Sequence, residues 1–328
     1  MVTIYDIARI SGVSKSTVSR VVSNHPYVSA ETRNKVLKVM QDYNYVPNSL
    51  AKQFRQKQTK NIAILIPNLD HPYFSQVVRY LSSACYKKGF KTVIHQTFSD
   101  EYTEKDVYSQ LQRNELDAII LTSSSFSEED IAKYTENHII VACNEDYSGD
   151  YFDVFCLDEE EITIKVTSSL LIKGLSKLAF CSDNITSPLQ QARLNGFIEA
   201  HTEKGLHHNK HFIFDEISSI EDGIHLGERI VKDQLQIEGI ITGSDFVAAG
   251  LIRSAVKHHI EIPKQLSIIG FDNHPISLVT DPQISTICNR IEDMSNDLVN
   301  HIVDKINGIR KTPVKKTYSG EFVQRNSS

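Results

Sequence analysis

Four polar side chains lie on one face of a short helix that the spacing predicts near the amino terminus. They are Lys15, Ser16, Ser19 and Arg20. Val18, Val21 and Val22 occupy the other positions and are candidates for burial. A helix that presents an ammonium, a guanidinium and hydroxyls together is typical of recognition in the DNA major groove. The alternative is an ordinary amphipathic helix with a solvated face.

The elements that must position this face are also legible. An earlier apolar run at helical spacing, Ile4, Ile7, Ala8 and Ile10, predicts a preceding helix. Gly12 readily adopts a left-handed conformation and marks a tight turn. Ser14 is placed to cap a second helix from about Lys15, and a third helix is predicted from Ser29. Two short helices around a tight turn form a helix-turn-helix.

The charge distribution supports a polyanionic partner for this segment. Residues 1–60 contain ten Lys or Arg and three Asp or Glu, a net charge of +7. Residues 61–328 contain 25 and 38 of these groups and carry −13. A basic head on an acidic body indicates that one part of the chain alone binds a polyanion. Neutralisation of phosphates supplies affinity that does not depend on sequence.

Beyond residue 60 the pattern becomes an alternation of buried strands and helices. The predicted strands are 62–66, 92–95, 118–121 and 139–143, then 177–181, 212–214, 239–241 and 267–271. The predicted helices lie near 73–88, 103–114, 128–137, 159–173, 188–204, 222–235 and 245–258. Repeated βα units predict parallel sheets covered by helices, here as two similar lobes. Ligands of such folds bind at the carboxyl ends of the strands.

Composition and motifs argue against several protein classes. The five cysteines form no CxxC pair and lie mostly in apolar runs, which favours reduced core thiols in a cytoplasmic protein. No apolar stretch reaches the length of a membrane span, and the start of the chain does not resemble a signal peptide. Motifs of nucleophilic, phosphate-binding or zinc enzymes are missing. His207, His208 and His211 lack an acid or thiol to complete a metal site. We therefore expect neither an enzyme nor a cofactor.

The chain resembles the LacI/GalR family of bacterial transcription regulators over essentially its whole length. The head motifs that carry the resemblance are Thr3-Ile4-Tyr5-Asp6-Ile7-Ala8, Val13-Ser14-Lys15-Ser16-Thr17-Val18-Ser19-Arg20-Val21, Val28-Ser29-Ala30-Glu31-Thr32-Arg33 and Tyr45-Val46-Pro47-Asn48. The body motifs are Pro72-Tyr73-Phe74, Arg193-Leu194-Asn195-Gly196-Phe197 and Ile269-Gly270-Phe271-Asp272-Asn273. The head motifs are specific to the family, whereas periplasmic sugar-binding proteins share the body motifs.

The resemblance implies a small all-α helix-turn-helix head and a two-lobed α/β body like that of periplasmic binding proteins. The head would span residues 1–46, a hinge helix and linker 47–60, and an effector-binding and dimerisation domain 61–328. Within that domain, an N-lobe would comprise about 61–158 and 291–318, and a C-lobe about 159–290 and 319–328. Because no leucine heptads follow the closing strand, a homodimer is favoured over a tetramer.

The resemblance also assigns DNA contacts. The implied base-reading residues are Lys15, Ser16 and Arg20, with Tyr27 as a helper. The implied phosphate contacts are Thr3, Ser14, Thr17, Ser19, Ser23 and Thr32, for which helix caps or solvated hydroxyls are the alternative. The implied minor-groove residues of the hinge are Asn48, Ala51, Lys52 and Phe54. Phe54 stands where the family usually has leucine, and packing on the body is the alternative role for it.

In the body, the resemblance implies effector contacts. They are Asp70, Tyr73, Phe74, Arg193, Asp245, Asp272 and Asn289. Aromatic faces and charge-assisted hydrogen bonds suit a sugar or sugar phosphate. Asp70, with His71, Asn144 and Asp158, falls at a predicted strand end, where caps and turns are an equally good explanation. Ser244 and the run Cys288-Asn289-Arg290 depart from the family pattern, which weakens any transfer of ligand identity.

The resulting expectation is a cytoplasmic regulator that binds double-stranded DNA, most simply a repressor of carbohydrate-uptake or catabolic genes. A dimer would read a pseudo-palindromic operator under the control of a small-molecule effector between the lobes. Three alternatives remain: a regulator activated by a phosphorylated carrier protein, a sugar-binding transport protein, and an enzyme on the same body fold. No membrane partner is expected.

Overall fold

The computed structural model describes residues 2–46 and 58–328. Its contacts divide the chain into two compact units, Met1–Thr59 and Lys60–Ser328. None of the helices in the two described ranges combines the length and apolar content that a membrane span requires.

In the described part of the first unit, residues 2–46, three helices pack together. They are α1 (Ile4–Ser11), α2 (Lys15–Val22) and α3 (Ala30–Asp42). Ile7, Val18 and Val36 are fully buried and form its small core with Ala8 and Val21. Ile10, the last member of the apolar run that predicted α1, has an exposed side chain.

Helix ends in this unit follow local signals. Gly12 ends α1 in the left-handed conformation (φ 64°), as predicted. The hydroxyl of Ser14 accepts a hydrogen bond from the backbone N–H of Thr17, and that of Ser29 accepts one from Thr32. The predicted starts of α2 and α3 are therefore confirmed. Each of these caps satisfies a backbone donor that a helix start otherwise leaves unpaired.

The second unit contains two six-stranded sheets covered by helices, which confirms the predicted fold class. The first sheet contains β1 (Asn61–Ile66), β2 (Lys91–Gln96), β3 (Ala118–Leu121), β4 (Ile140–Cys143), β5 (Asp153–Leu157) and β11 (Lys315–Tyr318). Its order is β11-β5-β4-β3-β1-β2, with every pair parallel. Its helices are α4 (Pro72–Lys87), α5 (Glu101–Gln112), α6 (Glu128–Ala132) and α11 (Ile291–Ile306).

The second sheet repeats this arrangement. Its strands are β6 (Leu178–Cys181), β7 (Ile213–Phe214), β8 (Gly239–Ile241), β9 (Ser267–Phe271), β10 (Ser285–Cys288) and β12 (Glu321–Val323). The order is β12-β10-β9-β8-β6-β7, and only β12 runs antiparallel to its neighbour. The accompanying helices are α7 (Glu159–Ile172), α8 (Pro188–Glu203), α9 (Ile220–Lys232) and α10 (Asp245–Lys257).

The chain passes between the two sheets three times. It leaves the first sheet after Leu157, returns to it between Cys288 and Ile291, and crosses again between Tyr318 and Glu321. The cores on the two sheets are continuous through these crossings. A displacement of one lobe can therefore be transmitted to the other through the residues beside the crossings.

Some predicted elements differ from the structure. The helix expected near 128–137 ends at Ala132, and Asn137 adopts a left-handed conformation (φ 66°). Only Ile213 and Phe214 form the strand expected at 212–214, because a 3₁₀ turn occupies Lys210–Phe212. Strands β5, β10 and β11 were not among the predicted runs, and β11 in particular is short and polar. Strand β12 begins the closing strand that the family resemblance implied.

Candidate functional site

The outer side of α2 presents the residues expected to contact DNA bases. Ser16 and Arg20 are exposed, and Tyr27 is 88% exposed in the loop that follows the helix. Lys15 is held in place, because its Nζ donates to the Tyr5 hydroxyl over 2.8 Å and lies 4.3 Å from the centre of that ring. The hydrogen bond and the charge of Lys15 lower the pKa of Tyr5. Tyr5 is thus part of this surface, although the periodicity of α1 gave no sign of it.

The residues expected at phosphates are mostly engaged in helix caps. Ser14 bonds through its hydroxyl to Ser16 (2.7 Å) and Thr17 (2.9 Å). Thr3 forms a capping box with Asp6, and Ser29 donates to Thr32 over 2.8 Å. The Ser23 hydroxyl donates to the carbonyl of Ser19 over 2.8 Å, an intrahelical bond that points to a structural role. These hydrogen bonds fix the directions in which the hydroxyls point.

Helix α3 fixes the loop that carries Tyr27. Arg33 on α3 donates to the Asn24 side chain over 2.6 Å and to the His25 carbonyl over 2.8 Å. The His25 and Tyr27 rings lie 5.5 Å apart. Arg33 therefore anchors the chain immediately after α2.

The predicted hinge residues Asn48, Ala51, Lys52 and Phe54 lie outside the described part of the chain.

A cleft of about 520 Å³ lies in the second unit between its two lobes. One wall comes from loops that follow β1, β3 and β4, and the other from loops that follow β6, β8 and β9. This is the expected place for a ligand in parallel α/β sheets. Of the predicted effector residues, Tyr73, Phe74, Arg193 and Asp272 line it, and so do His71 and Asn144.

Aromatic rings form the apolar part of the cleft. Tyr73 and Phe74, at the start of α4, have ring centres 5.1 Å apart at 69°, and His71 lies 5.4 Å from Phe74. Burial raises the pKa of Tyr73 well above its usual value, and the hydroxyl therefore stays protonated. Burial lowers the pKa of His71 although Asp183 lies 3.8 Å away, and His71 is therefore mainly neutral at pH 7. Phe126 and Tyr147 complete this apolar surface.

Arg193 forms a buried ion pair behind the cleft surface. Its Nε donates to Glu159 Oε2 over 2.8 Å, and a terminal nitrogen reaches the Gly243 carbonyl at 3.3 Å. Its guanidinium carbon lies 3.4 Å from the centre of the Phe271 ring. Burial alone would lower the pKa of Arg193, but Glu159 offsets this and the net effect raises it. Glu159, which the sequence did not single out, thus determines the orientation of the guanidinium.

Close packing of α7 on α8 brings this pair together. A Cβ added at Gly196 would lie 2.4 Å from the Glu160 carbonyl oxygen, so only glycine permits this approach. Glu159 also receives a 3.4 Å contact from the Asn144 side chain in the other lobe. The pair therefore lies where the chain first crosses between the sheets.

Asp272 is a buried carboxylate in the wall of the cleft that the loops after β6, β8 and β9 form. It follows β9 with φ 93°, a conformation that non-glycine residues rarely adopt and that is found mainly at functional positions. Asn289 donates to Asp272 Oδ1 over 3.1 Å and accepts from the backbone N–H of Ile291. Burial raises the pKa of Asp272 to about 7, although Arg193 acts against this. Asn289 thus supports Asp272 at the second crossing and does not itself line the cleft.

Among the other polar residues of the cleft lining, three that the sequence reasoning missed carry a charge or a buried amide. They are Glu145, Asp183 and Gln190. Burial raises the pKa of Glu145 to about 7. Gln190 donates to Asp183 over 2.6 Å, while its own Oε1 is buried without a hydrogen-bond partner. Glu145 and Asp183 each come two residues after a buried strand, a signal that could have identified both.

Three predicted residues are placed elsewhere. Asp70 is exposed in a turn, where its backbone N–H donates to Asn68. Asp158 caps α7 by accepting from the Glu161 N–H over 2.9 Å. Asp245 is fully buried behind β9, where it accepts from the His274 backbone N–H over 2.6 Å. A Cβ at residue 270 would lie 2.0 Å from Asp245, so Gly270 is what admits that carboxyl.

Metal binding finds no support in the described residues. Across 2–46 and 58–328, no group of three His, Cys, Asp or Glu is arranged to hold an ion. His201 is buried against Phe197, and its Nδ1 lies 2.8 Å from that residue's carbonyl oxygen. All five cysteines are free, and four are buried.

Family models match both units of the chain. Residues 3–48 match the family described as bacterial regulatory proteins, lacI family, and residues 167–328 match a periplasmic binding protein-like domain. The NTD biosynthesis operon regulator NtdR of Bacillus subtilis (strain 168) is 36% identical over 94% of both chains. Catabolite control protein A of Priestia megaterium is 27% identical over 89% of both.

Solved structures show the same fold at low identity. The lac repressor dimer bound to operator and an anti-inducer superposes with a TM-score of 0.86 at 22% identity, covering 99% of this chain and 98% of that one. The regulator CelR in complex with cellobiose gives a TM-score of 0.72 at 18% identity over the full length of both chains.

Proposed function

The chain belongs to the LacI family of DNA-binding transcription regulators, and from this premise we propose that it is a repressor controlled by a sugar-like effector. The observation that carries the proposal is the presence, in one chain, of a helix-turn-helix and a cleft between two lobes that combines polar and aromatic side chains. The regulated genes would serve uptake or breakdown of the compound that the cleft binds. The relatives are themselves regulators of transcription and not enzymes.

On the DNA side, we propose that α2 enters the major groove and that Lys15, Ser16 and Arg20 contact base edges. Arg20 is exposed beside the buried Val18 and Val21, an orientation that the helix core fixes. An arginine that reads guanine bidentately contributes about 1–3 kcal/mol of discrimination. The +7 charge of residues 1–60 would add affinity that falls with salt.

On the effector side, we propose that ligand binding changes the relation of the lobes through the crossings. Asn289 links Asp272 in the cleft to the start of α11. Asn144 accepts from the Leu157 N–H over 3.1 Å and contacts Glu159, so it spans the first crossing. A ligand can shift operator affinity only by its differential affinity for the two arrangements, commonly about 1–3 kcal/mol.

We further propose that the functional unit is a homodimer. The solved lac repressor that superposes on this chain is a dimer on operator. Large apolar side chains are exposed on both lobes, including Phe98 (72%) and Val279 (81%). Exposed apolar surface of this kind marks protein interfaces when its members lie together.

A second candidate keeps DNA binding but replaces the small effector with a phosphorylated carrier protein. The outward face of α11 gives it no support, because Asp293, Asp297 and Asp304 are paired with Arg290, Lys316 and Arg310, and Glu292 is a further exposed carboxylate. Arg79, Lys87 and Lys88 on or beside α4 are exposed cations that would favour it. Binding of phosphorylated against unphosphorylated carrier protein would decide between them.

The proposed function is tested with an operator obtained by in vitro selection from random DNA. Fluorescence anisotropy would measure operator affinity of the full-length protein with and without sugars that raise its melting temperature. A sugar that stabilises the protein and changes operator affinity at least fivefold supports the proposal. Stabilising sugars that leave operator affinity unchanged would contradict effector control.

A further inference from the structure

We infer that the effector carries a protonated amine as well as a sugar-like ring, so that its chemical class is an amino sugar. This inference rests on the proposed function, because it concerns the ligand of the same cleft. It narrows the expectation of a sugar or sugar phosphate and speaks against the phosphate.

The cleft has an excess of carboxylates. Glu145, Asp183 and Asp272 line it, and Arg193 is the single guanidinium. No lysine is among the lining residues in the described ranges, and His71 is mainly neutral at pH 7 because burial lowers its pKa. An anionic ligand would therefore meet the charge of Asp183 and, as the pH rises through 7, those of Glu145 and Asp272 as well, in a partly enclosed space where repulsion is weakly screened.

The one guanidinium is already compensated. Arg193 donates to Glu159 over 2.8 Å, and both side chains are 6% exposed. A phosphate would have to compete with this carboxylate, at the cost of leaving Glu159 buried without a counter-charge. The Arg193–Glu159 pair as a unit contributes no net charge to the cleft, so the net charge of the lining comes from Asp183, Glu145 and Asp272.

One buried acceptor of the lining, the amide oxygen of Gln190, is left for a ligand to satisfy. Gln190 is only 6% exposed, and its Oε1 has no partner, while its amide nitrogen is committed to Asp183. That hydrogen bond fixes which end of the amide faces Asp183. An ammonium group has three donors and no acceptor, so it satisfies a carbonyl oxygen and a carboxylate together. Ring hydroxyls would satisfy the remaining acceptors, and the Tyr73 and Phe74 rings provide an apolar surface for the ring carbons.

The raised pKa values of two cleft carboxyls agree with a site that lacks a cation until a ligand supplies one. Burial raises the pKa of both Asp272 and Glu145 to about 7. The charged groups that face Asp272 are Arg193, Glu159, Asp183 and Asp245. Glu159 faces Glu145, and the hydroxyls of Ser123 and Tyr147 lie beside it. A bound ammonium would favour the ionised forms, so amine affinity should rise between pH 5.5 and 7.

The test uses full-length protein and matched sets of monosaccharides in their amino, neutral, N-acetylated and 6-phosphate forms. The glucose, galactose and mannose series are the probes, with thermal shift and calorimetry as readouts. We expect at least one amine to bind ten times more tightly than its neutral and N-acetyl counterparts at pH 7.5. Equal or tighter binding of a phosphate or neutral form, or no preference for any amine, would overturn the inference.

Two isosteric variants locate the charge. Asp272→Asn and Glu145→Gln should each reduce the preference for the amine by tenfold or more, while thermal unfolding shows that the variants fold. Glu203→Gln, which removes an exposed carboxylate at the end of α8, is the matched control and should leave the preference unchanged. Retention of the full preference in both cleft variants would contradict the inference.

The two proposals fail in different ways. If a neutral or phosphorylated sugar binds and changes operator affinity, effector control survives and the amine is excluded. If an amine binds but leaves operator affinity unchanged, the ligand class holds and effector control fails.

Discussion

Arg193 donates through Nε to Glu159 Oε2 over 2.8 Å, and the two side chains belong to neighbouring helices at the point where the chain first crosses between the lobes. The pair is almost fully removed from solvent. Arg193 is thus held by the protein before any ligand arrives, so its contribution to binding is its orientation and not a free positive charge.

Removal of one member of this pair should be strongly destabilising. Arg193→Ala leaves Glu159 buried without a counter-charge, and we expect the free energy of unfolding to fall by about 3–5 kcal/mol. The double variant Arg193→Met with Glu159→Gln should recover most of this loss, since no buried charge is left unpaired. Urea unfolding followed by circular dichroism measures both.

An exposed ion pair on α7, the helix that also carries Glu159, provides the control. Lys165 contacts Glu161 at 2.6 Å, but the two side chains are 56% and 38% exposed. Lys165→Ala should change stability by less than about 1 kcal/mol, because exposed pairs are screened by solvent. A loss for Arg193→Ala no larger than this would show that the buried pair is not a determinant of stability.

The pH dependence of stability follows from the two cleft carboxyls with raised pKa values. Asp272 and Glu145 ionise near 7 in the folded protein, against about 4 in an unfolded chain. Between these values the folded state binds more protons, so the unfolding free energy declines as pH rises from about 4 to 7. The slope is at most about 1.4 kcal/mol per pH unit for each group.

Comparison with a variant isolates this contribution from that of all other groups. Melting temperatures of the ligand-free protein between pH 5 and 8 should fall more steeply for the natural chain than for Asp272→Asn with Glu145→Gln. Parallel curves would mean that these two carboxyls do not titrate in this window.

The helix-turn-helix could be predicted from sequence because its signals are local. Gly12, Ser14 and Ser29 act within three residues of the helix ends that they define. The alternation of strands and helices likewise predicted two parallel lobes, because each buried run reports its own environment.

The cleft was harder to predict because its contacts join distant residues. Glu159 and Arg193 are 34 positions apart, and Asp272 and Asn289 are 17 apart. Asp245 directly follows Gly243 and Ser244, which line the cleft. Its own carboxyl nevertheless supports β9 from behind, since Gly270 leaves space for it there. Side-chain direction after a strand depends on such packing, which no local pattern contains.

The proposed dimer predicts sensitivity at an exposed apolar residue. Val279, which follows the 3₁₀ turn after β9, is 81% exposed, so a change there should not disturb the core of its own chain. Val279→Asp should shift the protein toward monomers in sedimentation velocity at micromolar concentration, because burial of a charge at an interface is costly. Val279→Thr keeps the size without the charge and should remain dimeric. A dimer of unchanged affinity in Val279→Asp would exclude this residue from the interface.

The proposed role of Arg20 separates sequence-specific from general DNA affinity. Arg20→Ala should weaken binding to the selected operator by about 1–3 kcal/mol and relax selectivity at one base pair of each half-site. Lys38→Ala removes one exposed positive charge from α3 and is the matched control. It should weaken operator and random DNA to the same small extent, as loss of a phosphate contact or of general attraction does. Anisotropy titrations on both DNAs at two salt concentrations measure the difference. If Arg20→Ala weakens random DNA as much as operator, Arg20 contacts phosphate and the reading of bases falls to Lys15 and Ser16.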